Sequence, residues 1–198
     1  MIFYIMGKSA SGKDSLYKRL LSTDLNLNRL VIYTTRPKRD GENDGVEYHF
    51  VDEKFLDGNK DKIIEKRVYH TVFGDWYYAT IDDGKIDDDK NYVVIGTLES
   101  YNSIKKYYGK DKVFPIYLEV SDEIRRKRAI DRENKQKVPK FDEMERRFKA
   151  DEIDFSEENI KKAEIDKRYR IENIEDCLKE VIDDIKNNTK VDRTKNAL

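Results

Sequence analysis

The segment Gly7-Lys8-Ser9-Ala10-Ser11-Gly12-Lys13 sets two glycines and a terminal lysine in the spacing G-x-x-x-x-G-K. Glycines so placed let the backbone curl until successive N–H groups converge on an anion, and a lysine at the end reaches the β- and γ-phosphates of a nucleotide. An apolar run, Ile2 to Met6, precedes the loop, and the helical pattern Asp14-Ser15-Leu16-Tyr17-Lys18-Arg19-Leu20-Leu21 follows it. A helix starting there adds partial positive charge to the same site. The expected chemistry is binding of a nucleoside triphosphate such as ATP and transfer of a phosphoryl group from it. The expected contacts are Gly7, Lys8, Ser9, Ala10, Ser11, Gly12, Lys13, Asp14 and Ser15. Asp14 stands where such loops carry a Ser or Thr that serves Mg²⁺. Three readings stay open: Asp14 ligates the metal, Ser15 supplies the hydroxyl, or Asp14 only caps the helix.

A second group of chemical residues lies in Tyr33-Thr34-Thr35-Arg36-Pro37-Lys38-Arg39-Asp40-Gly41-Glu42-Asn43-Asp44-Gly45-Val46-Glu47-Tyr48-His49-Phe50. Arg36, Lys38 and Arg39 crowd positive charge just beyond an apolar strand. Arginines suit bidentate contact with phosphate oxygens, and the Tyr48 hydroxyl can complete the shell. This stretch satisfies T-T-R-P-x-R-x-G-E-x-D-G-x-x-Y-x-F, and with the glycine loop it resembles the guanylate kinases, whose acceptor-phosphate signature this is.

The resemblance covers most of the chain, strongly up to about Thr80, and implies transfer of the γ-phosphoryl group of ATP to GMP with Mg²⁺ as cofactor. It implies that Thr35, Arg36, Arg39 and Tyr48 bind the acceptor phosphate. It also implies that Glu65 accepts hydrogen bonds from guanine, with Tyr78 and Thr80 at the end of the same pocket. An ionised carboxylate accepts only, and guanine offers two adjacent donors. Arg128 and Arg132, four apart on one helical face, resemble arginines of the family's lid. Across Pro139, Arg147 rather than Arg146 is the better match to the remaining one, whereas Arg125, Arg126 and Lys127 read as solvated. With Lys13, these three lid arginines are the expected catalytic groups. Asn173 is placed to meet adenine or to make a turn. Two departures stand out. The segment 66–76 is longer than the family usually has, and Ile95 and Thr97 occupy positions where the family carries aspartates. They keep open a kinase for a different nucleoside monophosphate, a kinase-derived binding module, or a regulator with slow hydrolysis.

These side chains need a scaffold, and the apolar blocks at 2–6, 29–33, 91–96 and 113–119 alternate with helical patterns at 13–22, 98–108, 121–134 and 174–187. That alternation predicts an α/β fold with a central parallel sheet flanked by helices. Between the second and third blocks, short pieces separated by turn residues predict a small antiparallel insertion. The resulting organisation is one kinase domain over 1–186. It comprises a core (1–33, 91–120, 160–186), an NMP-binding insertion (34–90) and a helical lid (121–159) jointed near Val138-Pro139. A polar tail over 187–198 is expected to be disordered.

The chain has 198 residues, 37% hydrophobic and 41% charged, with 40 basic against 41 acidic residues and a net charge of −1. A balance so near neutrality gives no sign of a nucleic-acid or membrane partner and leaves nucleotides as the expected ligands. Cys177 is the only cysteine, which fits a reducing compartment. Lacking a signal-peptide pattern, the N-terminus reads as the first core strand, so the expected location is the cytoplasm. Monomer and homodimer stay equally open.

Overall fold

The computed structural model describes residues 1–71 and 74–195. In chain order the first elements are β1 (Ile2–Met6), α1 (Lys13–Leu21), β2 (Leu27–Arg29), β3 (Tyr33–Thr34), β4 (His49–Phe50) and α2 (Glu53–Gly58). There follow β5 (Ile63–Thr71), β6 (Gly74–Ile81), β7 (Asn91–Ile95), α3 (Leu98–Tyr108) and β8 (Val113–Glu119). The chain continues through α4 (Asp122–Asn134), α5 (Phe141–Asp154), α6 (Glu157–Lys162), β9 (Arg168–Arg170) and α7 (Ile174–Lys195).

The sheet that carries the glycine loop has the order β2-β7-β1-β8-β9. All its pairings are parallel. Every residue of β1 is buried, the mark of a strand covered on both faces. Alternate residues serve opposite faces. Ile2, Tyr4 and Met6 pack with Tyr101, Ile104, Tyr117 and Phe155, whereas Phe3 and Ile5 pack with Leu16, Leu20, Val181 and Ile185. The expected α/β architecture is therefore observed.

Three details depart from the sequence pattern. The apolar block at 29–33 divides between two sheets: Leu30 still donates its N–H to Val93, while the Ile32 carbonyl already accepts from His49 in the second sheet. Apolar character reports burial, and here both sheets bury the block. β9 has no apolar run to announce it, since only Tyr169 of Arg168-Tyr169-Arg170 is buried. The last helix runs to Lys195, past the onset of the tail expected to be disordered from residue 187. Val181 and Ile185 anchor it on the core, and the Thr189 hydroxyl bonds back to the Ile185 carbonyl at 3.0 Å, carrying helical geometry into the polar stretch. Residues 196–198 of that tail lie outside the described residues.

The second sheet has the order β4-β3-β6-β5. It is antiparallel except for the β3–β4 pair. Its own small core is Tyr33, Leu56, Ala79 and Ile81. Of the long segment at 66–76, residues 66–71 lie in β5 and 74–76 in β6, with Arg67 opposite Tyr78 and Tyr69 opposite Trp76, and residues 72–73 lie outside the described residues. Pro139 lies between α4 and α5, as the joint requires. Ala129, Met144 and Phe148 pack the two arm helices together, and Ala10 of the glycine loop packs against them. Among the described residues no helix is long and apolar enough to cross a membrane.

Candidate active site

β1 delivers the chain into the glycine loop at the carboxyl edge of the parallel sheet, between β7 and β8. Gly7 has φ 149, and a Cβ there would lie 2.6 Å from the Leu118 carbonyl oxygen, so no larger residue fits. Gly12 has φ 100 and starts α1 from the left-handed region. Ala10 also sits at positive φ, 61, a conformation that strains a residue with a Cβ. Inside the curl the Ser11 hydroxyl is buried with no hydrogen-bond partner among the described residues.

Lys13 folds back onto the loop, donating to the Gly7 carbonyl at 2.7 Å and to the Lys8 carbonyl at 3.0 Å. Burial pushes its ammonium down to about 8, with Asp151 and Asp14 opposing the shift and Arg147 and Arg125 adding to it. A bound triphosphate would supply the missing negative charge and hold Lys13 protonated. Because free Lys13 loses its proton above pH 8 and bound Lys13 keeps it, ATP binding near pH 8.5 is expected to take up protons. Calorimetry in buffers of different ionisation enthalpy reads this uptake directly. It is expected to fade toward pH 7 and to be absent from Lys13→Met; equal uptake by the variant would count against the assignment.

Asp14 and Ser15 are exposed in the first turn of α1, directly after Lys13. One carboxylate and one hydroxyl beside a phosphate site suit Mg²⁺, which keeps several waters and takes few protein oxygens. The residues present therefore fit that cofactor.

The arm closes over the loop by contacts that the sequence pattern did not reveal. Arg125, expected on a solvated face, is 1% exposed and the largest fully buried side chain among the described residues. Its Nη1 donates to the Ser9 carbonyl at 3.1 Å and to Asp151 at 3.2 Å, and its Nη2 donates to Asp122 at 2.6 Å. The guanidinium also lies 4.6 Å from the Phe148 ring centroid. Asp151 in turn accepts the Ser9 backbone N–H at 2.7 Å, and Lys8 pairs with Glu152 at 2.8 Å. The one available signal was Asp122 three residues before Arg125, a common surface pairing that does not by itself indicate burial.

Of the arginines expected in the lid, Arg128 brings Nη1 to 3.8 Å from where a Cβ on Gly12 would stand. Arg147 is close enough to Lys13 to disfavour its protonation. Both are exposed, and neither makes a hydrogen bond or ion pair among the described residues. Arg132 lies 3.8 Å from Glu133 and is half exposed. Arg146 is engaged with Glu143 at 2.7 Å, which leaves Arg147 as the free guanidinium of the pair. Asn173 caps α7, accepting the Glu175 N–H at 2.8 Å, which is the turn role.

On the acceptor side Arg36 is 3% exposed, held by Tyr78 at 3.1 Å, the Pro37 carbonyl at 2.8 Å and Glu42 at 2.7 Å. Tyr48 packs on it, with the guanidinium 5.3 Å from the ring centroid. Hydrogen bonding from Arg36 holds the Glu42 carboxyl below its ordinary range, and the same carboxylate accepts the Arg39 N–H at 2.8 Å. The Arg39 guanidinium is exposed and unpaired among the described residues. Thr35 ties the loop to β6 by accepting the Tyr77 N–H at 2.9 Å. On β5 a bulge at Ile64 shifts the register so that Glu65 lies opposite Thr80, whose hydroxyl donates to it at 2.8 Å. Glu65 is 8% exposed. Neither departure at the end of β7 restores an acid: Ile95 packs against the core, and Thr97 caps α3 through Ser100 at 3.2 Å.

A parallel α/β sheet with this loop at its carboxyl edge, a small second sheet and a helical arm defines the class of P-loop nucleoside monophosphate kinase folds. The family model for guanylate kinase matches residues 2–188. The chain belongs to the guanylate kinase family. It is 32% identical over 134 residues to a guanylate kinase of Helicobacter hepaticus, covering 67% of this chain and 66% of that one. To a guanylate kinase of Neisseria gonorrhoeae it is 40% identical over 85 residues, covering 42% of this chain and 40% of the other. The matched stretches thus span under two thirds of these relatives' own lengths. The crystal structure of guanylate kinase from Anaplasma phagocytophilum shares the fold, with TM-score 0.64 and 21% identity over 94% of this chain and 84% of that one.

Proposed function

We propose that this protein transfers the γ-phosphoryl group of ATP to GMP, forming ADP and GDP. The observation that carries this reading is Glu65, a buried carboxylate in the sheet whose strand β3 leads directly into Arg36, within one chain with an intact glycine loop. A monophosphate approaching a triphosphate brings together about six negative charges, so the protein's task is neutralisation, alignment and exclusion of water. Lys13 and the loop N–H groups hold the donor. Arg39 reaches the acceptor phosphate, with Thr35, Arg36 and Tyr48 shaping its cradle. Arg128, Arg132 and Arg147 surround the group in flight, and Glu65, Tyr78 and Thr80 hold the base. Asp14 and Ser15 would hold Mg²⁺, which supplies charge neutralisation at the β- and γ-phosphate oxygens when bound. The transfer needs no side-chain nucleophile, since an oxygen of the acceptor phosphate attacks the γ-phosphorus and ADP leaves. Closure of the 121–159 lid over the 34–90 insertion would keep water from taking the phosphoryl group. The lone buried cysteine and the nucleotide substrates support a cytoplasmic location.

A coupled assay with ATP, Mg²⁺ and a panel of GMP, dGMP, AMP, CMP and UMP tests the reading. ADP is expected with the guanine nucleotides well above the acceptor-free blank. No ADP above that blank with any acceptor would sink the kinase reading. Preference for another base would favour the second reading, a kinase for a different monophosphate, which the absence of acids at Ile95 and Thr97 supports.

A further inference from the structure

The pocket that holds Glu65 also contains a cation. Glu65 and Arg67 are two apart on β5 and therefore on one face of the hairpin, with Thr80 and Tyr78 opposite them. The Arg67 side chain is only 13% exposed. Its Nε donates to Glu65 at 3.0 Å and its Nη2 to the other carboxylate oxygen at 3.4 Å. Nη1 makes one long contact, 3.5 Å, to the Thr97 hydroxyl. An arginine has five N–H donors. Nη1 and Nη2 therefore each keep one N–H group beyond these contacts, beside the Glu65 carboxylate.

The surroundings favour a guanidinium that stays charged and in place. Burial works against the charge, and Glu65, with Tyr4 and Tyr69, outweighs it, so Arg67 is held above its ordinary range. Tyr4 reaches the pocket floor from β1 because residue 96 is glycine: a Cβ there would fall 1.8 Å from the Tyr4 hydroxyl. Tyr69 closes the outer side by packing edge-on against Tyr78, with centroids 5.2 Å apart. Thr97 matters by what it is not. A carboxylate at that position would pair with Nη1 and take up the free donors, whereas a hydroxyl already capping α3 leaves them open.

Guanine presents the acceptors N7 and O6 on one edge and, round the corner past O6, the donors N1–H and the exocyclic amine. Glu65 answers the donors. We propose that Arg67 is a specificity-determining residue that donates to the O6/N7 edge of the acceptor purine, so that carboxylate and guanidinium together read guanine across its whole edge. Adenine fails against both, because it sets an amine where Arg67 donates and an acceptor where Glu65 accepts. This inference rests on the GMP reading of the same pocket.

The test is steady-state kinetics with GMP, IMP and AMP on the wild type, Arg67→Ala, Arg67→Lys, Glu65→Gln and the double variant Glu65→Gln with Arg67→Ala. IMP keeps O6, N7 and N1–H and lacks the exocyclic amine. Arg67→Ala is expected to raise KM for GMP and IMP by the same factor, roughly 5- to 150-fold for a lost bidentate base contact, and to leave KM for ATP unchanged. Arg67→Lys, which keeps a charged donor without the fork, is expected to recover part of the loss and serves as the readout should the alanine variant fold poorly. The loss is also expected to persist in the Glu65→Gln background. An unchanged or lowered KM for GMP in Arg67→Ala overturns the proposal, as does a loss that vanishes once Glu65 is replaced, which would mean that Arg67 only orients the carboxylate. Failure of the wild type to use GMP overturns the acceptor reading itself and this inference with it. A wild type that uses GMP with a KM matched by Arg67→Ala overturns this inference alone.

Discussion

Replacing Arg147 with alanine is expected to lower kcat by about 10³–10⁵-fold, the range that an arginine stabilising transferring phosphoryl charge contributes in related chemistry. Lys13 already feels this residue in the ligand-free protein, so its charge lies close to the lysine proposed to hold the donor. A like charge next to Lys13 is unfavourable while the site is empty, and the carboxylate that feels Arg147, Glu143, is already hydrogen-bonded to Arg146. The arrangement becomes favourable only when phosphate charge enters, and most favourable when that charge spreads over the group in transfer. The loss should therefore fall on kcat, with KM for ATP changed little. Arg146 is the internal control. Its guanidinium is engaged with Glu143 at 2.7 and 2.8 Å, so Arg146→Ala should leave kcat within a few-fold of wild type. Equal losses in the two variants would show that the arm needs its net charge rather than one aimed guanidinium.

Arg125→Ala should act on stability instead, lowering it by about 3–5 kcal/mol, as removal of one partner from a buried charge network does. The substitution strips Asp151 of its cation, leaves the Ser9 carbonyl without a donor, and opens space against Phe148. Asp122 and Glu152 contribute little to this figure, since both are more than half exposed. For a chain of this size the melting temperature should fall by roughly 6–20 °C, read by thermal denaturation. Asp151→Ala should destabilise in the same direction, and the double variant should lose less than the two single losses together, because the residues share one network. Full additivity would mean that Arg125 stabilises the arm by packing alone. ATP saturating the wild type should not restore the variant, since the loop itself loses the anchor that Ser9 makes with the arm.

These two arginines also differ in what the sequence could say of them. Arg147 is proposed from a family pattern, which names a position without describing its packing, and that position is exposed. Arg125 was misread as solvated because what buries it, Asp151 and the Ser9 carbonyl, lies 26 and 116 residues away. Arg67 escaped notice for the same reason. Its significance depends on the β5–β6 register and on Thr97, thirty positions along the chain.

By itself the sequence determined the features that are local in the chain. The strand–loop–helix from Ile2 to Leu21 needs only an apolar run, glycines at positive φ and a helix former beyond them. The loop from Thr34 to Phe50 carries its own organising acid in Glu42, six residues from the arginine it holds. The α/β alternation is written in the burial of whole strands. Tertiary structure decided what depends on distant partners: how the block at 29–33 is shared between sheets, that Arg168-Tyr169-Arg170 becomes an edge strand, and which cation docks the arm. It also brought Arg67 of β5 onto Glu65 and within 3.5 Å of the Thr97 hydroxyl, a contact that no local pattern announces. Local backbone conformation is set by neighbours in sequence, whereas burial of a charge is set by whichever groups folding brings around it.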